Sequence, residues 1–168
     1  MTIRPATAAD AEQVVAIYNH GIAERQATFE TRPRTSEEVV DWLDGRGPFL
    51  VAADDDSVLG FARVSAYSTR EAYAGVGEHT VYVSPDARGR NVGFTLLDAL
   101  AEAAEQAGYH KLTSRVFATN AASRALHHKA GFTEVGIQRR HAKLEGRWVD
   151  TVLVERLLGE ARDYDSAS

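Results

Sequence analysis

Cysteine is missing from all 168 residues, which excludes disulfides, thiolate metal sites and a cysteine nucleophile. That absence suits a reducing compartment. No stretch approaches a run of about 18 consecutive apolar residues, so no membrane-spanning helix is expected. The opening MTIRPATAADAE has no apolar signal core, and a cytoplasmic location is the expectation. Nor is there an excess of positive charge: 19 Lys and Arg stand against 24 Asp and Glu. A formal net charge of −5 argues against nucleic-acid or anionic-membrane binding as a general activity. It leaves room for one phosphorylated ligand, which needs only oriented amides and local charge. The histidines show no HExxH or comparable ligand spacing, so no metal is expected. Repeats and linkers are absent too.

A hydrophobic fraction of 44% and a charged fraction of 26% fit a soluble globular chain long enough for one domain with a real core. TIRPAT reads as a short strand. Ala11, Val14, Val15, Tyr18 and Ile22 recur at helical spacing, with Thr7 or Asp10 to cap them. TSEEVVDWLD opens on a capping-box pattern and stops at Gly45 and Gly47-Pro48. FLVAAD and VLGFARVSAY flank a DDDS turn as a hairpin, STREAYAG is a polar connection, and VGEHTVYVS is a further strand. A long helix over 91–108 follows, with Gly93, Leu96, Leu97, Leu100, Ala104 and Ala107 along one stripe. KLTSRVF is strand-like and NAASRALHHKAG is a short helix. Two strands around Glu145-Gly146 complete the pattern. The order predicts an α/β domain with a mixed sheet over residues 1–158 and a solvated tail over 159–168.

One junction invites a chemical reading. In VYVSPDARGRNVGFTLLDAL a strand breaks at Ser84-Pro85, passes Arg88, Gly89, Arg90, Asn91, Val92 and Gly93, and enters the long helix. Free N–H groups and the helix dipole make such an entry a ready anion site. Gly93 and Asn91 suit crowded or left-handed backbone. Neither the nucleoside-triphosphate P-loop nor the GxGxxG dinucleotide fingerprint is present at this junction. Taken alone, the turn is equally a plain strand-to-helix connection.

The surrounding residues go further. The junction resembles the acetyl-CoA pyrophosphate loop of the GNAT N-acetyltransferase superfamily, [QR]-x-x-G-x-[GA], with Arg88 first, Gly93 last, and Asn91 standing where that pattern has glycine. NAASRALHHKAGF resembles a second superfamily motif at Asn120, Ser123, Leu126, Lys129, Gly131 and Phe132. Together with IYNHGIAERQATFETRP, LVAADDDSVLGFARV and REAYAGVGEHTVYVSP, these stretches are similar to the branch that acetylates phosphinothricin, methionine sulfoximine and arsinothricin. The resemblance implies the GNAT fold with about seven strands and four helices, acetyl-CoA as co-substrate, a homodimer, and a place in resistance to such compounds.

It also implies roles. Glu78 stands at the general-base position, where the residue alone reads equally as a solvent-facing glutamate at a strand end. Glu78, Thr80 and Tyr82 share a face of a regular strand, unless a bulge intervenes. The main chain at Val81 and Val83 is expected to pair with pantetheine, and the side chains of both to pack. His127 replaces the tyrosine that many GNAT enzymes use as general acid, with packing beside the cofactor as its other reading. Arg70 and Tyr73 match an Arg-x-x-Tyr that holds an anionic group of the acceptor, through the bidentate geometry a guanidinium offers. Phe29 matches an aromatic position lining the substrate, where the residue alone reads equally as core, and Trp148 matches one near the substrate or the dimer interface. Asn120 and Ser123 are expected at the cofactor, where Asn120 is equally an N-cap, and Lys129 either meets a phosphate or faces solvent. The expectation is direct acetyl transfer to a small amino-acid-like acceptor. The alternatives are another amine (a polyamine, an aminoglycoside or a protein N-terminus) or a non-catalytic acetyl-CoA sensor.

Overall fold

Local rules fix the element ends. The second helix starts at a reciprocal cap: the Glu38 amide donates to Thr35 Oγ1 at 3.3 Å and the Thr35 amide donates to the Glu38 carboxylate at 2.8 Å. The first helix ends at Arg25, which takes the left-handed conformation with φ 58°. The hairpin turn at Glu145-Gly146 has φ 50° and 79°, the pair of positive values that a two-residue turn requires.

The computed structural model describes residues 1–163. In chain order the elements are β1 (Thr2–Pro5), α1 (Ala11–Glu24), α2 (Ser36–Trp42), β2 (Phe49–Asp54), β3 (Ser57–Ala66), β4 (Val76–Val83), α3 (Val92–Gln106), β5 (Lys111–Phe117), α4 (Ala121–Lys129), β6 (Thr133–Leu144) and β7 (Arg147–Leu157). The strands form one seven-stranded sheet in the order β1-β2-β3-β4-β5-β7-β6. Every pairing is antiparallel except β4–β5, which α3 connects as a crossover.

Both faces are covered. Leu96, Leu97 and Leu100 of α3 pack on Leu112, Val152 and Val154 from one side. On the other, Val14 and Ile17 of α1 and Val39 of α2 pack on Phe49, Val51 and Phe61. β4 alternates between these cores: Val81 and Val83 lie against the α3 cluster and Tyr82 against the α1 cluster. Its register with β3 runs one for one from Gly60↔Val83 to Ala66↔Gly77, so no bulge breaks the parity of Glu78, Thr80 and Tyr82. Bulges lie elsewhere, at Ala52/Ala53 and twice along β6.

The end of the chain departs from expectation. Gly159–Arg162 form a helical turn rather than the start of a solvated tail. The Gly159 amide donates to Glu105 of α3, and Arg162 pairs with the same carboxylate at 3.0 Å. Leu158, 2% exposed, anchors that turn. The rest of the expected tail, 164–168, lies outside the described residues.

Candidate active site

The site begins where the sheet opens. β4 and β5 pair only at Val76↔Lys111, Gly77↔Leu112 and Glu78↔Thr113. Beyond that point β4 stays with β3 to Val83, and β5 stays with β7 to Phe117. Two parallel strands therefore part immediately after Glu78, leaving main-chain groups on the facing edges without strand partners. A groove of about 470 Å³ fills the loop side of the gap, and an inner cavity of about 420 Å³ lies behind it. Ala27, Val81, Tyr82, Asn120 and Ser123 line both.

The loop side is formed by the junction between β4 and α3. Gly89 has φ 79° and Asn91 φ 64°, so the asparagine occupies the left-handed backbone for which it is the mildest replacement of glycine. Among the described residues no acceptor pairs with the N–H groups of Gly89, Arg90, Asn91, Val92, Gly93 or Phe94. Val92, Gly93 and Phe94 form the first turn of α3, so these free amides carry its positive dipole end. Gly93 serves packing: a Cβ there would lie 2.9 Å from Leu126 of α4. Lys129 Nζ reaches Asn91 Oδ1 at 2.7 Å, lies over the Phe94 ring and lines the groove. The two loop arginines differ. Arg88 lines the groove but is ion-paired with Glu24, whose carboxyl it holds below the usual carboxylate range. Arg90 turns away to Asp54 at 2.6 Å, so of this residue only the main chain stands at the site. A β-branched residue at Asn91 resists φ 64°, at a cost of roughly 1–2 kcal/mol. A pyrophosphate-bearing ligand held by these amides should bind about tenfold more weakly to Asn91→Val and within about threefold of wild type to Asn91→Gly, as isothermal titration calorimetry would show.

Asn120 is an N-cap that also lines the site. Its side chain caps α4 by accepting from the Ser123 amide at 3.1 Å, and it stands in both cavities. Phe29 packs on Phe117 with ring centroids 4.8 Å apart, on the wall of the inner cavity. Glu78 lines that cavity and also an outer pocket of about 290 Å³, to which Tyr67 and Tyr73 contribute. Arg70 is exposed on the connection before β4, its guanidinium 5.5 Å from the Tyr73 ring centroid, and it has no carboxylate partner among the described residues. Trp148 is not brought to this place. It is 57% exposed on β7, covered on one face by Lys143, and lines a separate surface pocket with Arg25 and Asp150.

A pairing not foreseen from the sequence completes the site. His127 and His79 are 3% and 2% exposed, with their Nε2 atoms 3.0 Å apart. His127 Nδ1 donates to the Ser123 carbonyl at 2.8 Å, because a carbonyl can only accept. His127 Nε2 is then the acceptor and His79 Nε2 the donor, which leaves His79 Nδ1 buried without a hydrogen-bond partner among the described residues. Burial, and then the neighbouring His127, lowers His79 to about 3, and burial also lowers His127. The pair is neutral at pH 7. A histidine placed among Val81 and Val83 on the core-facing side of β4 was the available signal. Burial also raises the phenols of Tyr82 and Tyr18, whose rings meet edge to face beside the inner cavity. His141 reaches the cavity from the bulge on β6, where Arg140 has φ 48° and donates its amide to Asp150 at 2.7 Å. Among the described residues no cluster of three or more His, Asp or Glu is arranged to hold a metal ion.

This architecture matches solved acetyltransferases. A phosphinothricin acetyltransferase of Sinorhizobium meliloti, in complex with acetyl-CoA, aligns with a TM-score of 0.90 at 31% identity, covering 98% of this chain and 91% of that one. The fold and its open central sheet thus define an N-acetyltransferase. The model of the acetyltransferase (GNAT) family matches residues 15–132. The phosphinothricin N-acetyltransferase of Streptomyces coelicolor is 37% identical over 163 residues, covering 93% of this chain and 95% of that protein. The L-methionine sulfoximine/L-methionine sulfone acetyltransferase of Pseudomonas aeruginosa is 34% identical over 166 residues, covering 96% of each. The chain belongs to the acetyltransferase (GNAT) family.

Proposed function

We propose that the chain transfers the acetyl group of acetyl-CoA to the amine of a small amino-acid-like acceptor, of the phosphinothricin, methionine sulfoximine or arsinothricin type. The observation that carries this reading is the position of Glu78 at the parting of β4 and β5, between an amide cradle on one side and an outer pocket beside an unpaired arginine on the other. The pyrophosphate of the donor lies on the free amides of 89–94, and its pantetheine runs along β4 at Val81 and Val83. The thioester then reaches the inner cavity. An alkylammonium near pKa ~10.4 must lose a proton before it can attack, which costs roughly 4–5 kcal/mol at pH 7. Glu78, directly or through a water, takes that proton. The neutral amine attacks the thioester carbon, an amide of the open β4 edge stabilises the oxyanion, and CoA thiolate leaves. No acyl-cysteine intermediate is available.

His127 takes a different part from the general acid expected of it. Its Nδ1 proton is committed to the Ser123 carbonyl and its Nε2 to His79, so the neutral ring has no proton free for the thiolate. It braces the Asn120–Ser123 turn that both cavities share, and the thiolate is protonated by water. Arg70, with Tyr73, receives the distal anionic group of the acceptor. Arg70→Ala should raise the KM for methionine sulfoximine about tenfold with little change in kcat, the signature of lost uniform binding. Steady-state kinetics at saturating acetyl-CoA tests this, and an unchanged KM removes Arg70 from the pocket.

Assembly as a homodimer belongs to the same reading. It is supported by the apolar side chains that β6 and β7 leave outside, Val135, Ile137 and Trp148, each more than half exposed. Sedimentation equilibrium is expected to return twice the 18.3 kDa chain mass; a monomer at micromolar concentration contradicts it. A cytoplasmic place suits a chain without cysteine, and a role in resistance to such amino acids suits the proposed acceptor. Among the described residues no helix is long and apolar enough to cross a membrane.

A further inference from the structure

Arg115 stands where the inner cavity meets the outer pocket. It lies on β5 two residues beyond Thr113, the register partner of Glu78, and so on the same face as Thr113. Glu78, Ser114 and Arg115 are the residues that the inner cavity and the outer pocket share, and Arg115 is the one arginine among their described lining residues. Its Nε donates to Gln138 Oε1 at 3.0 Å. The same oxygen accepts from the fully buried Thr151 hydroxyl at 3.0 Å, which fixes Gln138 from below. The guanidinium is therefore aimed by one hydrogen bond while its two terminal nitrogens have no partner among the described residues. Arg88, Arg90 and Arg124 are neutralised by carboxylates. Neither Arg115 nor Glu78 belongs to any ion pair among the described residues, with each other or with a third group.

A carboxylate and a guanidinium that share two cavities without pairing form a complement to a zwitterion. We propose that Arg115 holds the α-carboxylate of the acceptor while its amine lies at Glu78, so that the enzyme selects α-amino acids over other primary amines. This rests on the acceptor reading above and deepens it. Amine and carboxylate are attached to one carbon, so the group that receives the amine must have the group that receives the carboxylate beside it. Arg70, outside on the connection before β4, is left for the side-chain anion. Two arginines then read two anions, and the preferred acceptor is an α-amino acid with an acidic or oxyanion-like side chain.

The test compares methionine sulfoximine with its α-carboxamide, an acceptor with the same amine and side chain but no α-charge. A guanidinium–carboxylate contact is worth about 10- to 100-fold in binding. Wild type should favour the acid by at least about tenfold in kcat/KM. Arg115→Gln should bring acid and amide within about threefold of each other, mainly by raising the KM of the acid. Arg115→Lys, which keeps the charge and loses the fork, should restore part of the preference. Arg115 is exposed, so these variants are expected to fold, with circular dichroism as the check. If Arg115→Gln keeps the wild-type preference, Arg115 is not the carboxylate site although the acceptor class stands. If wild type acetylates neither compound, the acceptor reading and this inference fall together.

Discussion

Replacing Glu78 by Gln should lower kcat for acetyl transfer by about 10²–10³ at pH 7 while the acetyl-CoA dissociation constant stays within about twofold. The substitution keeps shape and removes the proposed proton acceptor from the point where β4 and β5 part. Acetyl-CoA affinity is spared because the amide cradle over 89–94 lies beyond the far end of β4. The deficit should also shrink as pH rises, because a larger fraction of the acceptor amine is then already neutral. Steady-state rates from pH 6.5 to 9.5, with calorimetric titration of acetyl-CoA alongside, read both quantities. A variant with wild-type kcat across that range would take Glu78 out of the mechanism.

Acid should loosen the fold through the buried histidine pair. His79 has a folded-state value of about 3 against an unfolded value near 6.5, so between these pH values the unfolded chain binds the extra proton. Stability is therefore complete above about pH 6.5 and declines as pH falls toward 3. His127 is lowered as well and contributes in the same direction. At roughly 1.36 kcal/mol per unit, His79 alone accounts for about 2 kcal/mol between pH 7 and 5. For a domain of this size that is a fall in Tm of about 4–8 °C. The Asp10 carboxyl, held low by Arg4, loses its contribution only at more acid pH and does not intrude in this window. His79→Gln, which keeps a donor for His127, should flatten the Tm profile between pH 5 and 7. An equal slope in variant and wild type would mean that the pair takes up protons while folded.

What could be read from the sequence was whatever neighbours in the chain decide. Thr35 and Glu38 satisfy each other within one turn, Glu145-Gly146 must turn back on itself, and Asn91 announces a left-handed residue at a helix entrance. Such contacts span a few residues, and all are found where expected. Contacts across the chain left no comparable trace. His79 and His127 are 48 positions apart, and only the alternation of β4 hinted that a histidine faced the core. Gln138 aims Arg115 across 23 positions, through a register on β7 that the β6 bulges shift. The separation of Trp148 from the inner cavity has the same cause, since its place depends on how β7 sits beside β5. The turn at Gly159 leaves no local signal because its partner, Glu105, lies on another element.

Amine acetylation of an anionic amino acid is proposed at the opening between β4 and β5. The most direct measurement is the initial rate of CoA release from acetyl-CoA, followed with a thiol reagent, to which a chain without cysteine adds no background. Acceptors would be phosphinothricin, methionine sulfoximine, arsinothricin, glutamate, spermidine and an aminoglycoside, with the mass of each product recorded. Release of CoA matched by one acetyl group on the glutamate-like compounds, and not on the polycations, is the predicted result. Transfer only to spermidine or the aminoglycoside, or binding of acetyl-CoA with no transfer to any acceptor, would contradict it.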